Sequence, residues 1–325
     1  MIRVLYLPLN YGSVVQNGVY DAFREAGCHL DVFDYFYEYE RHGKRVHKVR
    51  EDLIKRAFNT KPDMVYMQIQ HTKVIDAKTI STIKQQHPKT IIVNWTGDIR
   101  NYIPPTYKSM SHVSDYNLIS STGQLDQFRK ECNNVYYLQI GYNPKLYFPN
   151  ENHVGIFDYD VSFVANNNVK ENYPGRHERE EVCRILRKEF GNRFGLFGHG
   201  WPRSFASKGS IDQSAVNSIY HNSYCVLSVS HFNDVNHYFS DRLLMCLASG
   251  RPTISYRFPK WQSYFTHDSD IVIADSISEI PNKVRELLSD PAKANFIGES
   301  GAAKVYAEHT YLSRINELLH MVGLK

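Results

Sequence analysis

The 325-residue sequence has no apolar run near the roughly 20 residues that a membrane-spanning helix needs; Met64–Ile69 and Ile91–Val93 are typical of its longest. That excludes a helical membrane span. No charged leader with an apolar core precedes the strand-like run Ile2–Leu7, so the chain is expected in the cytoplasm. Cysteine is scarce. Cys28, Cys132, Cys183, Cys225 and Cys246 are odd in number and never form C-x-x-C, which argues against a disulfide framework or a cysteine zinc site and for reduced core thiols. There is no internal repeat and no low-complexity tract. Neither sign of charge dominates: 38 Lys+Arg face 34 Asp+Glu, and a net charge of +4 with a pI near 8.6 permits an acidic ligand or polymer without requiring one. A G-x-G-x-x-G fingerprint is also missing. The first strand-to-helix joint reads LPLNYGSVVQNG (Leu7–Gly18), so a nicotinamide-dinucleotide enzyme loses support.

What is present is a globular composition, 42% hydrophobic and 22% charged, in a chain about twice the usual domain length. The 23 tyrosines and 17 phenylalanines fit core filling as well as sugar or base stacking. Short apolar β-rich runs alternate with amphipathic stretches, the pattern of parallel α/β units. In the first half, 2–7, 29–33, 63–69, 90–95, 116–120 and 135–138 predict strands, with helices over 17–26, 50–58, 74–86 and 122–131. After a linker-like stretch with two prolines, Gly141–His153, the alternation resumes. Strands are expected at 160–165, 194–197, 224–229, 253–256 and 271–274, and helices at 176–190, 212–220, 240–248, 277–289, 291–308 and 311–322. The expected organisation is an N-terminal Rossmann-like domain over 1–150, a second over 151–310, and a C-terminal helix, 311–325, crossing back to the first. Two such halves would face each other across a cleft at their strand C-termini, where open α/β sheets place ligands.

The segment richest in chemistry is Ser240–Pro252, SDRLLMCLASGRP. Ser240, Asp241 and Arg242 open a helix after a polar loop, so unpaired N–H groups, the helix dipole and a guanidinium fork converge on a place suited to a diphosphate. Spacing alone fits equally well an Asp241 that complements the dipole and an Arg242 that is a surface cation. In the first half, Gly12 would let the backbone approach a ligand, and Ser13 would border the cleft. Asp98, in NWTGDIR, is expected on a loop after a strand, where a carboxylate can take a proton from an acceptor hydroxyl or simply close a turn. His71 is a second candidate base, with a structural histidine as its alternative. The D-x-D pairs Asp158/Asp160 and Asp268/Asp270 are short enough to occur by chance and are read as solvated polar positions. No third ligand accompanies His231 and His237, so no metal site is expected.

Several ordered motifs resemble the CgeB-like glycosyltransferases, bacterial and phage relatives of the GT-B family. They are DVSFVA (160–165), FGLFGHGW (194–201), the Ser240–Pro252 run, the D-S-x-x-E-I run at 275–280, LLSDP (287–291) and AEHTY (307–311), so the likeness covers about 160–314. The resemblance implies a GT-B architecture and transfer of a sugar from a nucleoside diphosphate sugar, a co-substrate, with no further cofactor. It assigns Arg242 to the donor phosphates and makes Gly250 the helix end. It also puts Asn166, Asn167 and Asn168 beside the donor, and His199, Gly200 and Trp201 beside the nucleotide base. The sequence departs from the pattern where the family's paired glutamates would stand, at His237 and Met245. The acceptor implied is a hydroxymethylated base of phage DNA or a glycan. Loss of activity, leaving a nucleotide-sugar or nucleic-acid binding module, is the competing reading.

Overall fold

The computed structural model describes residues 1–9, 17–69, 73–99, 101–150, 156–168 and 173–325. They divide into two compact units, one of Met1–Ile140 with Tyr311–Lys325 and one of Gly141–Thr310.

In the first unit, β1 (Arg3–Leu7), β2 (His29–Val32), β3 (Met64–Met67), β4 (Ile91–Thr96), β5 (Tyr116–Ile119) and β6 (Val135–Tyr137) form one parallel sheet in the order β2-β1-β3-β4-β5-β6. The side-chain period of two splits each strand between two apolar layers. Val4, Tyr6, Met64, Tyr66 and Val93 belong to one core, and Leu5, Leu7, Val65, Met67 and Ile92 to the other. The helices of this unit are α1 (Asn17–Glu25), α2 (Tyr35–Arg41), α3 (Val46–Thr60), α4 (Ala77–Gln86), α5 (Pro105–Ser111) and α6 (Leu125–Arg129). Two of them lie outside the helices expected from sequence. The aromatic run of α2 has the composition of a strand, yet Asp34 accepts from the Phe36 and Tyr37 N–H groups and starts a helix. Pro105 sits at the first position of α5, where its missing N–H costs nothing.

In the second unit, β7 (Tyr159–Val164), β8 (Phe194–Phe197), β9 (Ser223–Ser228), β10 (Thr253–Tyr256) and β11 (Val272–Ala274) form a parallel sheet in the order β11-β10-β9-β7-β8. Its helices are α7 (Arg176–Phe190), α8 (Val216–His221), α9 (Asp241–Ala248), α10 (Ile280–Ser289) and α11 (Pro291–Glu308). The chain leaves β7 toward β8 and then returns to the opposite side of β7 as β9. That reversal opens a crevice at the C-terminal ends of β7 and β9, the place where α/β sheets bind ligands. The stretch read as a linker begins inside this unit. Tyr142 and Tyr147 are 2% and 1% exposed, and Tyr147 Oη donates to Gln213 Oε1 at 2.8 Å.

The final helix, α12 (Tyr311–Met321), belongs to the first unit. Its Ile315, Leu318 and Leu319 pack with Val19, Ala22 and Phe23 of α1. Among the described residues, no helix is long and apolar enough to cross a membrane.

Candidate functional site at the switch point of the second sheet

The motif FGHGW becomes intelligible at the end of β8. Gly198 and Gly200 have φ of +118° and +81°, and a Cβ on them would come within 2.1 Å of the Ala165 carbonyl oxygen and 2.0 Å of that of Asn167. Only glycine lets this strand end run so close to the end of β7. Between them, His199 donates its N–H to Asn166 Oδ1 at 3.1 Å and accepts from the Asn167 N–H at 2.8 Å. Trp201 Nε1 donates to the Ala165 carbonyl at 2.7 Å, and its ring lies against Phe163 and Phe205.

On the other side of the crevice, α9 begins at Ser240 in extended conformation, but the Ser240 hydroxyl caps nothing: its Oγ is buried without a hydrogen-bond partner. Asp241 Oδ1 accepts from the Arg242 N–H at 2.8 Å. Arg242 turns inward, where Nε donates to the Val164 carbonyl at 2.8 Å and Nη1 reaches that of Val229 at 3.5 Å. It makes no ion pair among the described residues.

These elements enclose a cavity of about 330 Å³, lined by Asn166, His199, Asp241 and Arg242 with Tyr147, Gln213, Tyr220 and Met245 among others. Of the residues singled out from sequence, these first four meet here. Ser240 and Gly200 flank the cavity in the chain without lining it, and Trp201 lies in the packing behind it. Asn168 makes no cavity contact. His237, at φ +56°, packs its ring near Tyr264 instead. Asp98 stands exposed after β4 in the first unit, its N–H 3.4 Å from Thr96 Oγ1. Gly12, Ser13 and His71 lie outside the described residues.

Arg179, which sequence reading passed over, and His231, read there only as a metal-ligand candidate, complete the electrostatics. Arg179, on the first turn of α7, is wholly buried; Nη2 donates to the Asn166 carbonyl at 2.9 Å, while Nε and Nη1 have no partner. Its guanidinium carbon lies 5.4 Å from the centre of the Phe163 ring, and that of Arg242 lies 5.8 Å from the same centre. Burial, aided by repulsion from Arg242, pulls the Arg179 guanidinium well below the usual arginine range. His231, just after β9, has its ring near that of Tyr173, 4.8 Å between centres, and faces the backbone of Asn166. Burial, then the charges of Arg179 and Arg242, push it down to about 3. A buried donor left unsatisfied costs on the order of 1–3 kcal/mol. The cavity wall thus carries Arg242 beside the carboxylate of Asp241, with the charge of Arg179 behind it, and an anion with several acceptor oxygens would be drawn to the Arg242 side.

A larger cavity of about 620 Å³, between residues 142–150 and α11, shares only the Tyr147 wall with the first and stands away from the switch point. The D-x-D carboxylates have protein partners: Asp160 pairs with Arg193 at 2.6 Å and Asp268 with Lys293 at 2.9 Å. The one group of metal-capable side chains among the described residues, Glu38, His42 and Asp52, lies in the first unit, and Arg41 engages both of its carboxylates.

No curated protein matches the chain in sequence. Residues 176–320 match the family described as glycosyl transferase-like. Solved structures similar over the whole chain include a sucrose-phosphate synthase from Thermosynechococcus elongatus, with 12% identity, a TM-score of 0.64 and 100% of each chain covered. The Anabaena HepE protein in complex with UDP-glucose is similar at 10% identity and a TM-score of 0.65, again over 100% of each chain. A glycosyltransferase from Rickettsia africae is similar at 10% identity and a TM-score of 0.64, over 98% of this chain and 97% of that one. The chain therefore shares the fold of these structures, two parallel α/β sheets each in its own unit, and the glycosyl transferase-like match spans α7, the His199 loop and α9 of the second unit.

Proposed function

We propose that the chain moves a sugar from a uridine diphosphate sugar to an acceptor hydroxyl, with the diphosphate at the N-terminus of α9. The observation that carries this reading is Arg242: a cation with no ion pair among the described residues, in the first turn of a helix at the switch point of the second sheet. UDP and UDP-glucose are bound by the HepE structures that share the fold, which supports uridine as the base. In the reaction, the acceptor oxygen forms a bond to the anomeric carbon as the bond from that carbon to the diphosphate breaks. The electron pair passes to the diphosphate oxygen, where the Arg242 guanidinium and the positive end of the α9 dipole stabilise the growing charge without need of a metal ion.

The proton lost by the acceptor needs a base, and Asp98 is proposed on its chemistry, an exposed carboxylate beyond β4. Asp98→Asn should collapse turnover while donor affinity is kept. A CgeB-like subgroup is supported by the motif runs of residues 160–314, and the acceptor proposed from it is a hydroxymethylated base of phage DNA or a glycan. A steep salt dependence of duplex binding would favour DNA.

The decisive experiment is calorimetric titration with UDP-, GDP-, ADP- and TDP-sugars, followed by assay of free sugar released without acceptor. Binding and slow release of sugar from a UDP-sugar support the proposal. Binding without release points to a non-catalytic module, and no binding of any donor refutes it.

A further inference from the structure

We infer that Arg179, buried behind the cavity wall, is a positioning residue that makes the site select ligands by their phosphate charge. The inference rests on the donor reading above and extends it from affinity to discrimination.

A buried arginine is ordinarily paired with an acid, because an isolated charge away from water is costly. Arg179 has no such pair among the described residues. It has one hydrogen bond, to the backbone carbonyl of Asn166, and two unused donor nitrogens. The strongest charge acting on it is of the same sign: Arg242, whose guanidinium lies by the same Phe163 ring. Packing requirements do not explain this choice, since a methionine would fill similar space without the repulsion. The rings of Phe163 and Trp201, 5.4 and 5.7 Å from the guanidinium carbon, offset part of the cost of burying Arg179, and a negative charge in the adjoining cavity would offset the remainder. Arg179 reaches that cavity in two ways. Its field acts through the thin wall formed by Asn166, and its hydrogen bond fixes the Asn166 backbone whose side chain holds the His199 loop. Because the attraction scales with ligand charge, it should act strongly on a diphosphate, less on a monophosphate and hardly at all on a nucleoside.

The test compares dissociation constants of UDP, UMP, uridine and inorganic pyrophosphate for the wild type, Arg179→Met and Arg179→Lys, together with melting temperatures without ligand. The inference expects Arg179→Met to melt no lower than the wild type, because an unpaired buried charge is replaced by an apolar chain of similar length. UDP and pyrophosphate should bind about tenfold or more weakly, with uridine unchanged. Arg179→Lys should recover much of the preference for UDP over uridine. A merely structural role predicts the reverse, so an Arg179→Met protein that fails to fold, melts lower, or weakens UDP and uridine equally overturns the inference. If the wild type binds pyrophosphate but not UDP, the uridine donor reading fails while charge selection is still decided by the pyrophosphate series. If both bind wild type and Arg179→Met alike, charge selection alone fails.

Discussion

Arg242 Nε lies 2.8 Å from the carbonyl oxygen of Val164, tying the first turn of α9 to the last residue of β7. The bond spans the reversal in strand order, so the helix that would hold the phosphates and the strand that would border the sugar cannot drift apart. It also fixes the guanidinium plane, since Nη1 is directed to the Val229 carbonyl while Nη2 makes no hydrogen bond among the described residues.

From that geometry, Arg242→Ala should lower kcat/KM for a UDP-sugar by roughly 10²- to 10³-fold, the usual consequence of removing one fixed donor from a developing anion. Arg242→Lys should recover little, because an ammonium cannot hold the two carbonyls and a phosphate at once. Steady-state kinetics on both variants, with circular dichroism to verify folding, checks this expectation.

Much of the architecture was legible in the sequence because parallel strands buried on both faces read as short apolar runs, and the runs at Ile2–Leu7, Thr253–Tyr256 and the rest stand out between amphipathic stretches. The helix α2 did not, since its signal is a single capping carboxylate, Asp34, ahead of aromatic residues that favour strands. At the site, Ser240–Arg242 was visible because a helix start after a polar loop has a recognisable pattern. Arg179 was not: in RHEREEVCRILRKEF it is one of several charged residues on an amphipathic helix, and only tertiary packing reveals that it alone is wholly buried among them. His231 was considered only as a metal ligand, because its role depends on two cations from distant parts of the chain.

The glycine pair of the FGHGW motif gives a stability prediction. Gly200→Ala combines a positive φ with a Cβ placed 2.0 Å from a carbonyl oxygen, whereas Gly209, at φ +86°, has nothing within 4 Å of its Cβ. Gly209→Ala should therefore cost only the backbone term, about 1 kcal/mol. Gly200→Ala should cost on the order of 2 kcal/mol or more and weaken donor binding as the His199 loop shifts. Urea denaturation of the two variants side by side separates the contributions.

Helix α12 supplies a prediction about the first unit. Leu318 is fully buried against α1, so Leu318→Ala should cost roughly 2–5 kcal/mol through lost contacts and the cavity left behind. A chain with two compact units need not melt in one step. Scanning calorimetry should show the transition of the first unit moving down while binding of UDP, assigned to the second, keeps its affinity in the folded protein.

The pH dependence of stability should carry the signature of His231. Burial and the charges of Arg179 and Arg242 hold it down to about 3 in the folded state, against 6.5 in an unfolded chain. Between those values the unfolded chain binds the extra proton, so stability from this group is complete above about pH 6.5 and is lost as the pH falls toward 3. His231→Asn should therefore melt with a shallower pH dependence than the wild type between pH 5 and 7, where most carboxylates remain ionised. Saturating UDP should flatten the wild-type curve toward that of the variant, because phosphate charge in the cavity beside Arg242 opposes the field that depresses the imidazole. Melting temperatures measured at half-unit steps, with and without UDP, decide the matter; parallel curves for wild type and His231→Asn would show that this imidazole is already solvated and indifferent to the cations beside it.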